Sequence, residues 1–191
     1  MSAAKRARST AGSSRKARSA PVPGAAPPRT PPASRPYLPG YGVATTTKGL
    51  LPWSHVTEKM SAAMRYWVAT VDAEGRPHAT PVDGLWLDER LYFGGYPTTR
   101  RARNLLRNGA ACVHLDDAMD VLILHGDAVE LRDPTPELMA RLAAASEKKY
   151  GFAPPPELYA ASATFVFRPR LVLAWKDLQK DATRWRLADG D

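Results

Sequence analysis

The spacing of apolar and polar positions changes period several times along the chain, and each change predicts an element. Order is expected to begin near Leu50. Ser54 can cap a short helix running to about Ala63, with Glu58 near its positive end. Tyr66–Val71 is aromatic and β-branched, which predicts a strand. Asp72–Gly75 reads as a turn in which Gly75 can take positive φ without a Cβ clash. A second strand is predicted over about His78–Leu87. Asp88–Arg90 then turns the chain into Leu91–Phe93. Two hairpins in succession predict an antiparallel meander.

Helical spacing follows. Thr98–Arg107 predicts a short helix with Ala102, Leu105 and Leu106 on its inner side. Ala110–Leu115 and Val121–Leu131 read as strands around the acidic turn Asp116–Asp120, and Gly126 interrupts the second as a bulge would. Pro134–Tyr150 predicts an amphipathic helix, carrying Leu138, Leu142 and Ala145 on one side and Gly151 just past its end. Ala153–Pro156 reads as a loop. Thr164–Phe167 and Leu171–Trp175 read as a closing strand broken at Pro169. The order is α+β, and short antiparallel strands of this number fit a small barrel. The alternation of a parallel βαβ fold is missing, as is G-x-G-x-x-G.

Charge divides the 191 residues in two. Residues 1–36 hold eight basic side chains and no acidic one, and the other 155 carry 19 of each sign. The net charge of +8 therefore describes a tail. With seven prolines between Pro21 and Pro36 and almost no large apolar residue, that stretch is expected to be disordered. Residues 1–49 are assigned to a basic tail and linker, and 50–191 to one folded domain. A solvated extension is the plain reading of the tail, although its composition also overlaps with organellar transit peptides. The electrically balanced body does not suggest a dedicated nucleic-acid binder. No apolar run reaches the ~20 residues of a membrane span, so a cytoplasmic protein is expected.

Side-chain catalysis finds little support. His55, His78, His114 and His125 show no metal-ligand spacing, and Cys112 is the only cysteine. Neither a nucleophile elbow nor a paired acid and base is visible, so no catalytic side chain and no metal are assigned. Gly94–Asn104 (GGYPTTRRARN) is more unusual. Two glycines end a strand, two threonines open a helix, and Arg100, Arg101 and Arg103 fall in its first turn and a half. Cations there oppose the helix dipole, whereas a bound anion would reverse the balance. Threonine hydroxyls, free N–H groups and a guanidinium can cradle a phosphate; an exposed Arg-rich helix is the alternative. Gly75–Val82 (GRPHATPV) holds Thr80 and a mid-strand Pro81, which suits an edge strand able to lie against a flat ring.

The succession Tyr66–Thr70, Gly75–His78, Thr80–Val82, Leu91–Phe93 and Arg101–Leu105, with Gly126 late and Thr183–Trp185 near the end, resembles the FMN-binding split-barrel superfamily. Pyridoxamine 5′-phosphate oxidase is its best-known member, and the closer likeness is to its branch of oxidoreductases using FMN or coenzyme F420. The resemblance covers about residues 50–187.

It implies a six-stranded antiparallel split barrel with flanking helices, paired as a homodimer with cofactor sites at the interface. His78, Thr80, Pro81 and Val82 match the strand that lines the flavin ring. Thr99, Arg100 and Arg101 match the phosphate-binding turn, where lysine is commonest at the place of Arg101. Asn104 matches a recurring position, and Trp185 falls where the chain end can reach a partner's cofactor. The Arg-rich substrate-binding end of the vitamin B6 oxidase has no clear counterpart. The implied function is hydride transfer between bound FMN or F420 and a small organic substrate, with the cofactor performing the chemistry. The acidic tail of F420 suits Arg100, Arg101 and Arg103 together, and FMN needs fewer cations. A non-catalytic FMN- or haem-binding barrel is the alternative.

Overall fold

The computed structural model describes residues 30–155 and 162–187. Among these, nine antiparallel strands and three helices form one α+β unit: β1 (Ala33–Ser34), α1 (Trp53–Ala62), β2 (Tyr66–Val71), β3 (Pro77–Val82), β4 (Leu85–Leu87), β5 (Arg90–Gly95), α2 (Arg100–Arg107), β6 (Ala110–His114), β7 (Val121–Glu130), α3 (Pro136–Tyr150), β8 (Ala163–Trp175) and β9 (Thr183–Arg186). Three short pieces, β1, β4 and β9, raise the count above the six expected.

The ladder runs β1-β9-β8-β7-β6-β2-β3, with β5 on the first half of β8 and β4 on β5. Among the described residues no ladder joins β3 to β4 or β5, so the sheet curls without closing. That open seam is the architectural fact on which the site depends.

Strand β8 can serve both edges because it is long and bent. Its first half pairs with β5 and its second with β9, while β7 spans both. The register with β7 shifts between His125 and Gly126, and Arg170 is the unpaired residue. Gly126 permits the bend: a Cβ there would lie 2.0 Å from the Arg168 carbonyl oxygen. The predicted bulge is thus present, and Pro169 bends one continuous strand instead of dividing two.

Alternation fills the barrel. Val68, Val113, Leu122, Leu124, Phe165 and Val172 point inward and are buried. Helix α1 covers one end with Trp53, Val56 and Met60. It begins at Trp53 after Pro52, whose place as N-cap carries no side-chain bond, so Ser54 lies inside the helix and does not cap it. Helix α3 packs Leu142 against Tyr92 and Val166 on the outside. Thr135 caps it and Gly151 ends it at φ 68°.

Two expectations change here. Residues 30–49 join the folded unit although their composition resembles the tail. Ala33 and Ser34 pair with Trp185 and Arg184. The Arg35 guanidinium donates to the carbonyls of Thr46 and Ala182 at 2.8 and 2.9 Å, and also to that of Lys48. These are backbone bonds to a distant strand edge, invisible to a local count of apolar residues. Residues 1–29 and 188–191 lie outside the described residues, as do 156–161, where the predicted loop ends. Among the described residues no helix is long and apolar enough to cross a membrane.

Trp185 is the second change. It is fully buried and meets Trp53 edge-on, ring centroids 5.5 Å apart. Strand β9 turns Thr183 and Trp185 into the barrel, beneath α1. An indole there belongs to the core of this chain.

Candidate functional site

The site is built where the seam meets the N-terminus of α2. Residues 96–99 form the turn after β5. Thr99 takes extended backbone angles and caps the helix, its Oγ1 accepting from Ala102 N at 3.3 Å and donating to Tyr96 O at 2.9 Å. Ala102, Asn104 and Leu105 turn inward, whereas Leu106, expected with them, is about half exposed. The buried Asn104 amide donates to Thr70 Oγ1 at 3.0 Å, and that hydroxyl reaches His78 O. Asn104 therefore locks the helix to β2 and sets where its first turn points.

That turn aims Arg101 at the seam. Its Nη1 donates to Thr80 Oγ1 on β3 at 2.9 Å, and its Nη2 donates to Gly94 O on β5 at 3.1 Å. The guanidinium carbon lies 5.9 Å from the Phe93 ring centre. One side chain thus bridges two strand edges that share no ladder. Gly95 makes room for it, since a Cβ there would stand 2.7 Å from Arg101 Nη2. At Gly94 a Cβ would meet nothing within 4 Å, so the space over the seam is open. Partial burial pulls the Arg101 pKa below its ordinary value, a sign of an incompletely solvated cation. Among the described residues Arg101 has neutral oxygens as partners and no carboxylate.

The other arginines differ. Arg100 Nη2 binds Asp72 Oδ2 at 2.7 Å. The Arg76 amide, foremost, and then Arg100 hold the Asp72 carboxyl below its usual range. Arg103 turns back to the Thr98 carbonyl. Arg107, farther along, donates to Val71 O at 2.9 Å.

On β3, exposure alternates. His78 and Thr80 are half-buried, Val82 is buried in the core, and Pro77, Ala79 and Pro81 face the other way. The structure brings Arg101 to Thr80, with His78 two residues along the same strand face; Thr99 and Arg100 precede Arg101 at the start of α2, Arg100 turned to Asp72. Pro81 stands on the opposite face, as the pleat requires. Val82 contributes its side chain to the core, so only its backbone borders the seam. Trp185 lies in the barrel interior.

A second cluster forms around Lys149, which falls within the predicted helix Pro134–Tyr150. Lys149, near the end of α3, donates to Tyr66 Oη and Gly84 O, both at 2.8 Å. It sits 4.7 Å from the Tyr66 ring centre and 5.3 Å from that of Tyr150. Desolvation, opposed by Asp83, lowers its pKa to about 8, and burial raises those of Tyr66 and Tyr150. The adjacent Lys-Tyr dipeptide carries no periodic signal that marks it. Beside this cluster, between α3 and β5, lies a cavity of about 480 Å³ whose wall includes Gly94 and Gly95.

Comparison with known proteins agrees with the fold. A conserved hypothetical protein from Mycobacterium tuberculosis superposes with a TM-score of 0.57 at 16% identity, covering 71% of this chain and 90% of that one. A FAD-binding protein from Mesorhizobium loti gives 0.52 at 18%, covering 70% and 94%. A haem-binding protein from Mycobacterium smegmatis gives 0.53 at 18%, covering 72% and 59%. None of the curated proteins matches the sequence. The family model for pyridoxamine 5′-phosphate oxidase matches residues 55–176, from the first turn of α1 to the end of β8 and so across the whole seam. The chain belongs to the pyridoxamine 5′-phosphate oxidase family.

Proposed function

We propose that this chain binds a phosphate-bearing flavin or deazaflavin at the seam between β3 and β5 and serves as an oxidoreductase acting on a small organic substrate. The observation that carries this reading is Arg101, a half-buried guanidinium held by Thr80 and Gly94 at a helix N-terminus, with no carboxylate partner among the described residues. A phosphate suits such an arrangement, because it accepts from a guanidinium fork and from free N–H groups at once. Thr99 and the first amides of α2 complete the cradle, and His78 and Thr80 offer β3 to the ring. The cofactor supplies hydride transfer, while the protein supplies binding, orientation and exclusion of water.

FMN is the better match of the two cofactors. Asp72 neutralises Arg100, which leaves fewer free cations than the sequence suggests for the acidic tail of F420.

We further propose a homodimer formed through the outer sheet face. Trp67, His114, Ile123 and Leu173 are aligned across β2, β6, β7 and β8, all half-exposed, with His114 stacked on Trp67 at 6.2 Å. Helix α3 packs elsewhere, against Tyr92 and Val166, so it does not cover them. A contiguous, partly exposed face of this kind suits contact between two copies.

The test is the absorbance spectrum of the purified protein with titrations of FMN and F420. Saturable FMN binding at one per chain, with turnover of the reduced flavin, supports the reading. Bound flavin without turnover, or a haem spectrum, gives the non-catalytic alternative. Binding of neither cofactor overturns the proposal.

A further inference from the structure

The cavity between α3 and β5 carries an inference about what lies beside the cofactor. Its wall is mostly apolar and aromatic, including Leu85, Tyr92, Phe93, Leu142, Tyr150 and Phe152. A volume of about 480 Å³ is in the range of small-molecule sites. Two of the larger exposed aromatic rings of the described chain stand on it: Phe152 is 54% exposed and Tyr96 63%. Exposed rings at the rim of an apolar cavity gain contact area when a ring-shaped ligand enters.

Several polar groups on the wall already have partners. Tyr150 Oη accepts from Gly84 N, and the carbonyls of Met64 and Gly84 lie 2.9 Å from it. Ser146 Oγ donates to Phe152 O at 2.7 Å, fixing the loop that carries the ring. The charged group among the described wall residues is Asp83, a carboxylate paired with Arg65 at 3.1 Å. No lysine or arginine stands among them. Lys149 is near, yet its ammonium is turned to Tyr66 and Gly84. A phosphate placed here would lose water and face Asp83, and the guanidinium that reaches the wall, Arg101 at Gly94 O, is held by that carbonyl and by Thr80.

We infer that this cavity binds an uncharged, apolar ring compound and rejects phosphorylated ones. Its place against Gly94 and Gly95, whose backbone also borders the Arg101 seam, makes it the substrate pocket; that role, unlike the binding itself, rests on the cofactor reading. A family named for a phosphorylated substrate would then hold, in this chain, a member whose pocket has no cation for that phosphate.

The test is a fluorescence titration with N-phenyl-1-naphthylamine, an uncharged probe that brightens in apolar sites, with and without saturating FMN. Saturable binding at one per chain in both conditions is expected, about tenfold weaker in Phe152→Ala and in Tyr96→Ala, and unchanged in Arg107→Ala, farther along α2. Pyridoxal 5′-phosphate should not displace the probe. Displacement by pyridoxal 5′-phosphate, or binding that survives both aromatic substitutions, overturns the inference. Displacement by FMN does so too, by making the cavity the cofactor's own ring site. If FMN fails to bind while the probe behaves as expected, the cofactor reading falls and the pocket stands; the reverse pattern overturns the pocket alone.

Discussion

Arg101 on α2 is hydrogen-bonded at 2.9 Å to Thr80 on the edge strand β3, which shares no ladder with β5. The bond crosses the open side of the barrel, and Gly94 O completes the bridge from the other bank. A side chain so placed can exchange its neutral partners for an anion without rearranging the fold. Arg101→Ala is therefore expected to weaken FMN binding ten- to a hundredfold, since charge-assisted bonds are worth roughly 1.5–3 kcal/mol each. Arg107→Ala removes a charge from the same helix and a bond to Val71 O, and should leave FMN affinity unchanged at a small stability cost. Flavin titration and thermal melts of both variants give the comparison.

Gly95 should behave as a positioning residue for that guanidinium. A methyl group there meets Arg101 Nη2 at 2.7 Å, the far end of a flexible side chain. Gly95→Ala is expected to cost under about 1 kcal/mol of stability while displacing Arg101 and weakening FMN binding several-fold. Unchanged binding in a well-folded variant would show that the guanidinium's place does not matter.

Gly126 should behave oppositely. Its missing Cβ faces the backbone at 2.0 Å, where no side chain can yield. Gly126→Ala is expected to cost about 3 kcal/mol or more, a fall of roughly 6–12 °C in Tm for a domain of this size. Loss of flavin binding should only follow loss of fold, as a chemical-denaturation series with bound and free protein can show.

Association should depend on the outer sheet face. Ile123→Asp places a carboxylate between His114 and Leu173 on that face. It is expected to convert a homodimer to monomer in sedimentation at micromolar concentration, with the melt little changed. A wild-type protein that sediments only as a monomer removes the interface.

Stability should rise between about pH 8 and pH 10. The Lys149 pKa falls from 10.5 to about 8 on folding, mainly through desolvation. In that window the unfolded chain binds more protons than the folded one, so raising the pH favours the folded state. Tyr66 and Tyr150 act with the opposite sign: their raised values give stability that is present below about pH 10 and declines above it. Lys149→Met should flatten the rise from pH 8 while keeping the decline above pH 10, in denaturant melts across pH. An unchanged profile would mean that Lys149 does not carry the effect.

The local pattern was enough for elements whose cause is local. Tyr66–Val71 is aromatic and β-branched and is a strand with those bounds. Thr99, legible as standing at the opening of a helix, caps it because the hydroxyl and the amide it binds are only three residues apart. Gly126 announced a bulge because no other residue fits a close backbone approach. The charge cluster at Arg100–Arg103 was also legible as a candidate anion site. Which arginine faces the seam was not, because Asp72, Thr80 and Gly94 are remote in sequence and sort the three guanidinium groups only after the sheet has curled. The same reason moved Trp185 from a cofactor to the core and Arg35 from the tail to a clamp on β9. It also explains why the Lys149 cluster and its cavity escaped notice: Tyr66, Gly84 and Lys149 meet only when α3 docks outside the barrel. Short-range periodicity and capping set the pieces; long-range strand pairing decided which side chains face one another, and so where an anion and an apolar ring can bind.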